Sequence, residues 1–141
     1  MQQSEFLSMC ASLERVINSI MSFVDTDLEK GVIDIPDIKD PTQLSTLYGG
    51  YKETAVNYQE ACNKLALLVQ AQIKLRQLRK SIREEAVLPS IRSKITAQIE
   101  FLLSQVDLVR EATLTLKSKY EKLLQFYNSS QYLISNSTYK M

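Results

Sequence analysis

Lys74, Arg76, Arg79, Lys80 and Arg83 fall within ten positions with no acid among them, and Arg92 and Lys94 follow a short way on. Seven cations against the two carboxylates of Glu84 and Glu85 leave this stretch at +5, in a chain whose total is only +1. Arg76, Arg79, Lys80 and Arg83 share a face at helical spacing. Clustered cations raise the local positive potential that phosphate groups seek, so nucleic acid or another polyanion is one candidate partner. An acidic protein partner is a second. A solvated helix face whose long stems cover apolar neighbours explains the same residues without any ligand. No aromatic lies among them, so stacking on single-stranded bases is not indicated.

Other chemistry is scarce. The chain has no histidine, which removes the commonest general base and the commonest nitrogen ligand for zinc. Cys10 and Cys62 are far apart and each falls on the apolar side of a predicted helix, so both read as small buried hydrophobes. Gly49-Gly50 lacks the spacing and the following Lys-Ser/Thr of a phosphate loop. Glu84-Glu85 reads as a hydrated pair at a helix end. The expectation is therefore a non-enzyme with no catalytic residue, no cofactor, no metal and no small-molecule substrate.

The elements that position the basic cluster are helical. At 141 residues, 45% hydrophobic and 23% charged, the chain can bury one core without staples and is too apolar for wholesale disorder. Three glycines, three prolines and no tryptophan point to long uninterrupted elements. Met1-Gln2-Gln3-Ser4-Glu5 lacks the features of a secretory signal. No apolar run approaches the ~20 residues that cross a bilayer. These features predict a soluble protein of the cytoplasm or another intracellular compartment, with no membrane partner.

The clearest periodicity runs from Leu88 to Tyr127. Leu88, Ile95, Leu102, Val109, Leu116 and Leu123 fill one seam position, and Ile99, Val106, Thr113, Tyr120 and Tyr127 fill its partner. A 3.5-residue repeat keeps these side chains on one stripe that requires another helix to cover it. A first helix is expected over 4–24, with Phe6, Leu13 and Ile20 seven apart, as are Met9, Val16 and Phe23, and with Cys10, Ile17 and Val24 broadening the stripe. An acidic linker follows over 25–40, six carboxylates against two lysines, for a net −4. Asp40-Pro41-Thr42-Gln43 is a helix-start signal. The second helix is expected over 41–86 with a break at 49–50, since two adjacent glycines cost about 2 kcal/mol in a helix interior. Its stripe passes through Tyr51, Ala55, Tyr58, Cys62, Leu65, Leu68 and Val69, then drifts to Ala71, Leu75, Leu78 and Ile82. Pro89 must end or kink that helix. A turn there lays the second helix antiparallel to a third over 89–128, and a tail fills 129–141. The alternative, kept open by the lack of Gly, Asn or Asp at the junction, is one kinked rod longer than about 110 Å.

The expected fold is all-α, an elongated, coiled-coil-like antiparallel helical hairpin with an N-terminal helix packed on it, in a single domain. A second apolar set on the third helix, Phe101, Leu103, Leu108 and Leu124, lies off the main seam. With Tyr51, Tyr58, Tyr120 and Tyr127 it forms a candidate interface, and core packing is the alternative for those tyrosines. These features predict a structural, scaffold or adaptor subunit that forms a homo-oligomer or joins a larger complex through helix packing. A nucleic-acid-binding accessory protein using the basic hairpin tip is the alternative. Pairing of the basic tip of one copy with the acidic linker of another is a further expectation.

Overall fold

The computed structural model describes residues 2–29 and 44–139, and the side-chain surroundings of 2–29 and 49–129. The linker beyond Glu29 and the start signal at Asp40 to Gln43 lie outside the described residues, as does the C-terminal end beyond Tyr139. The described residues form three helices: α1, Gln3–Glu29; α2, Leu44–Glu84; and α3, Pro89–Tyr139. At 1.5 Å per residue they extend about 40, 60 and 75 Å.

α2 and α3 form an antiparallel hairpin, so Pro89 opens a new helix instead of kinking an old one. Contacts descend along one helix as they climb the other: Arg79 reaches Glu100, and Tyr58 reaches Glu121. The missing N–H of Pro89 costs nothing at a helix start. α1 lies on both arms and runs parallel to α3, with Glu14 level with Gln98 and Asp27 with Tyr120. The chain therefore begins near the hairpin tip.

All three helices pack through heptads. In α3, Ile95, Leu102, Val109, Leu116 and Leu123 are buried, and so are Ile99, Val106, Thr113 and Tyr120. Of the other predicted seam positions, Tyr127 is half-buried and Leu88 is 65% exposed, because the turn pulls it off the seam. In α1 the buried lines are Phe6, Leu13, Ile20 and Asp27, then Cys10, Ile17 and Val24. Met9, Val16 and Phe23 flank this seam.

The described structure of α2 departs from the sequence expectation in three respects. First, its seam does not drift. Thr54, Ala61, Leu68, Leu75 and Ile82 are buried at strict seven-residue intervals, with Ala71 and Leu78 beside them. Two small residues at its head hide the repeat, and the larger Tyr51, Tyr58 and Leu65 flank it. Second, Val69 is 46% exposed. Third, the helix is unbroken through Gly49-Gly50. A Cβ on Gly50 would lie 2.5 Å from the Tyr127 hydroxyl, so any other residue there would push the Tyr127 ring off α2.

α1 and α3 are both longer than their patterns suggest. Asp25, Asp27 and Glu29, read as linker, complete α1, although acids are disfavoured at a helix C-terminus. Asp27 continues the Phe6-Leu13-Ile20 line and accepts a buried hydrogen bond from Tyr120. α3 runs on through Asn128-Ser129-Ser130 to Tyr139. Those residues cost only a few tenths of a kcal/mol each in helix propensity, and no Gly or Pro stops the chain.

Candidate interaction surfaces

The hairpin tip is a short turn over 85–88 between α2 and α3. Glu85 N–H donates to the Ser81 carbonyl, Val87 N–H to Glu85, and Arg92 N–H to Leu88. Arg92 Nη2 reaches back across the turn to the Glu85 carbonyl at 2.7 Å. The guanidinium thereby ties the last turn of α2 to the first turn of α3, while its Nε is buried with no acceptor among the described residues. Arg79 is engaged too: its Nη1 meets Glu100 Oε1 at 3.2 Å, bridging the arms.

The seven predicted cations therefore separate into two groups. Arg79 and Arg92 hold the hairpin together. Lys74, Arg76, Lys80, Arg83 and Lys94 remain exposed. Arg76, Lys80 and Arg83 follow one another at four and three residues and form a stripe on the outer side of α2. Lys74 projects from a different side of the helix, about 200° away.

The predicted interface residues separate in the same way. Phe101 and Leu108, seven apart, stand out at 53% and 63% exposed. Leu103 and Tyr127 are half-buried and pack against the core. Leu124 and Tyr51 are also half-buried. Tyr58 packs against the core and donates to Glu121 Oε1 at 3.3 Å. Its hydroxyl is raised above the ordinary tyrosine range, first by hydrogen bonding with Cys62. Tyr120 is not an interface residue. It is buried in the α3 seam, 2.6 Å from Asp27 Oδ2, because the heptad carries it inward and the carboxylate satisfies its hydroxyl. Burial, followed by the bond to Asp27, pushes this phenol far above its usual range.

Several outward apolar side chains do not stand out in the sequence: Val56, Leu67, Val69 and Ile73 on α2 and Leu114 on α3. Cys62, Ala66, Val69 and Ile73 recur at four, three and four residues, a second stripe beside the seam. It is legible in the spacing, but only once Val69 is taken out of the core.

No protein-family model matches this chain, and no curated protein or solved structure matches it. Its chemistry has to be read from its own surfaces. An open groove of about 390 Å³ between α1 and α2 is lined by Ser22, Phe23, Thr26, Asp27, Asn57 and Glu60. Lys64 Nζ sits 5.5 Å from the Phe23 ring centre at its edge. Among the described residues no three His, Cys, Asp or Glu side chains are placed to hold a metal ion. Cys10 is buried, and burial, then the charge of Glu14, raises its thiol above the ordinary range, which suits a packing role. Among the described residues no helix is long and apolar enough to cross a membrane.

Proposed function

We propose that this chain is a non-enzymatic helical subunit, a structural or adaptor element that presents its outer helix faces to other helices. One observation carries this reading. The heptad seams are satisfied within the chain, yet large apolar side chains recur along the outside of α2 and α3, from Val69 and Ile73 to Phe101, Leu108 and Leu114. Single exposed apolar residues are ordinary, whereas pairs at helical spacing, Val69 with Ile73 and Phe101 with Leu108, are the pattern of faces awaiting cover.

The test is the native mass of the chain in extracts of its source cells. It should migrate in a complex larger than its own 16.1 kDa, and Val69→Asp with Leu114→Asp should shrink that complex while helicity is kept. Migration at 16.1 kDa in the extract overturns the reading.

A second reading rests on the exposed Arg76, Lys80 and Arg83 stripe, whose cations are not consumed by the contacts that occupy Arg79 and Arg92. On it, the tip side of α2 binds the phosphates of nucleic acid. Mixed DNA and RNA should then be retarded at low salt, with affinity falling steeply as salt rises. Replacing the three cations by glutamate should abolish the shift, and no retardation of the unaltered chain rejects this reading.

A further inference from the structure

On α3, Glu100, Leu103, Asp107, Arg110, Leu114 and Lys117 follow at three- and four-residue steps and line one stripe beside the seam. The stripe lies on the edge of the hairpin away from α1. Glu100 at one end bonds Arg79, and Glu121, one step beyond the other end, bonds Tyr58. By contrast, α1 is engaged through Gln98 and Tyr120, on the other side of the α3 seam. The apolar stripe of α2, Val69 and Ile73 at 46% and 49% exposed, runs along the same outer groove, with half-buried Leu65 beside it.

The order of residues in the α3 stripe is self-complementary when reversed. An antiparallel copy centred at the Leu108–Val109 peptide sets Leu103 opposite Leu114, Asp107 opposite Arg110, and Glu100 opposite Lys117, and the twofold axis repeats every pair. Both leucines meet leucines and every acid meets a base. A parallel copy would instead set Asp107 on Asp107 and Arg110 on Arg110. The levels of the Arg79–Glu100 and Tyr58–Glu121 bridges place Val69 within about two residues of this centre. Val69 therefore lies about 4.5 Å along the axis from its own counterpart, and Leu65 comes opposite Arg76. The Phe101–Leu108 stripe offers no such match, since its next positions are Lys94 and Thr115.

We propose that the outer α2–α3 groove is an isologous interface in which a second copy of this chain docks antiparallel, register-locked by Asp107–Arg110 and Leu103–Leu114. This deepens the subunit reading, on which it rests, by naming the partner. Arg79 and Glu121 keep their present bonds to Glu100 and Lys117 and extend those pairs into small networks across the interface. Arg76 and Lys80 flank the groove toward the tip and come opposite neutral Leu65 and Ala61–Cys62 of the second copy. From Thr96 to Glu121 the face is about 37 Å long and two helices wide, on the order of 700 Å² per copy, close to what a specific dimer buries. The two α1 helices remain on the outside.

The test is solution mass by light scattering at tens of micromolar protein, with circular dichroism as the control for folding. The unaltered chain should weigh twice 16.1 kDa. Asp107→Arg, which faces Arg110 with a like charge, should weaken the dimer by at least about tenfold without loss of helicity, as should Arg110→Asp. The double variant should restore it, because the swapped pair is again complementary only in the antiparallel register. A dimer that survives Asp107→Arg, or a double variant that stays dissociated, overturns this interface. A purified chain of 16.1 kDa that still enters a larger complex in extracts overturns the second copy as partner and leaves the subunit reading standing. A mass of 16.1 kDa in both settings removes both.

Discussion

Tyr120 Oη donates a 2.6 Å hydrogen bond to Asp27 Oδ2 inside the helix seam, joining the last turn of α1 to α3. Asp27 ends the otherwise apolar Phe6-Leu13-Ile20 line and Tyr120 ends the Ile99-Val106-Thr113 line, so the bond fixes where α1 stops along α3. Tyr120→Phe removes the donor and takes one hydrogen bond from a buried carboxylate, and should cost about 1–3 kcal/mol in urea unfolding. Adding Asp27→Leu, which continues the Phe6-Leu13-Ile20 line, should recover most of that loss. A Tyr120→Phe variant as stable as the unaltered chain would rule out this role.

The same contact predicts a response to alkali. Burial, then Asp27, holds the Tyr120 phenol well above the ordinary tyrosine range, and Tyr127 is raised as well by burial and then Glu53. Below the unfolded value of about 10 both states keep the proton and the full contribution to stability is present. As pH rises past it, the unfolded chain releases protons that the folded chain retains, so stability falls, by at most about 1.4 kcal/mol per pH unit per group. Urea midpoints should drop above pH 10, and less steeply in Tyr120→Phe. Identical slopes for the two proteins would contradict the assignment.

The two adjacent glycines should respond in opposite directions. A Cβ on Gly49 meets nothing within 4 Å, whereas one on Gly50 meets Tyr127 Oη at 2.5 Å. Gly49→Ala should stabilise by about 0.5–1 kcal/mol through helix propensity. Gly50→Ala should fail to do so in the unaltered chain and gain stability once Tyr127→Ala makes room. Thermal melts of the four variants decide it, and equal gains at both glycines would show that Tyr127 does not press on Gly50.

Leu68 and Val69 are neighbours in sequence with opposite fates, one buried in the seam and the other 46% exposed. Leu68→Ala should cost 2–5 kcal/mol, roughly the range for a cavity in a packed core. Val69→Ala should cost less than about 0.5 kcal/mol in the folded chain. Comparable losses at both positions would return Val69 to the core.

The sequence alone sufficed for the seam of α3, because Ile95, Leu102, Val109, Leu116 and Leu123 are large, apolar and strictly periodic, and one element's pattern is a local property of the chain. It favoured the hairpin, since a turn at Pro89 lets the two arms cover each other, but a kinked rod satisfies Pro89 equally well and only the contacts between the arms decide for the turn. α2 was harder. Its seam passes through Thr54 and Ala61, whose small side chains are buried by what α3 sets against them, while larger Tyr51, Tyr58 and Val69 line the flank beside it. Intrinsic cost marks Gly49-Gly50 as a break and Asp25 to Glu29 as linker. Both stretches are helical, with Tyr127 packed on Gly50 and Tyr120 bonded to Asp27. The basic cluster was visible as seven cations, but which two close the turn and bridge the arms depends on residues 7 and 21 positions away, Glu85 and Glu100. Periodicity and backbone restriction are written in neighbouring residues, and so the sequence determines where helices form and which stripe they bury. Contacts between distant residues decide where each helix ends, which charges remain free, and which apolar side chains stay exposed.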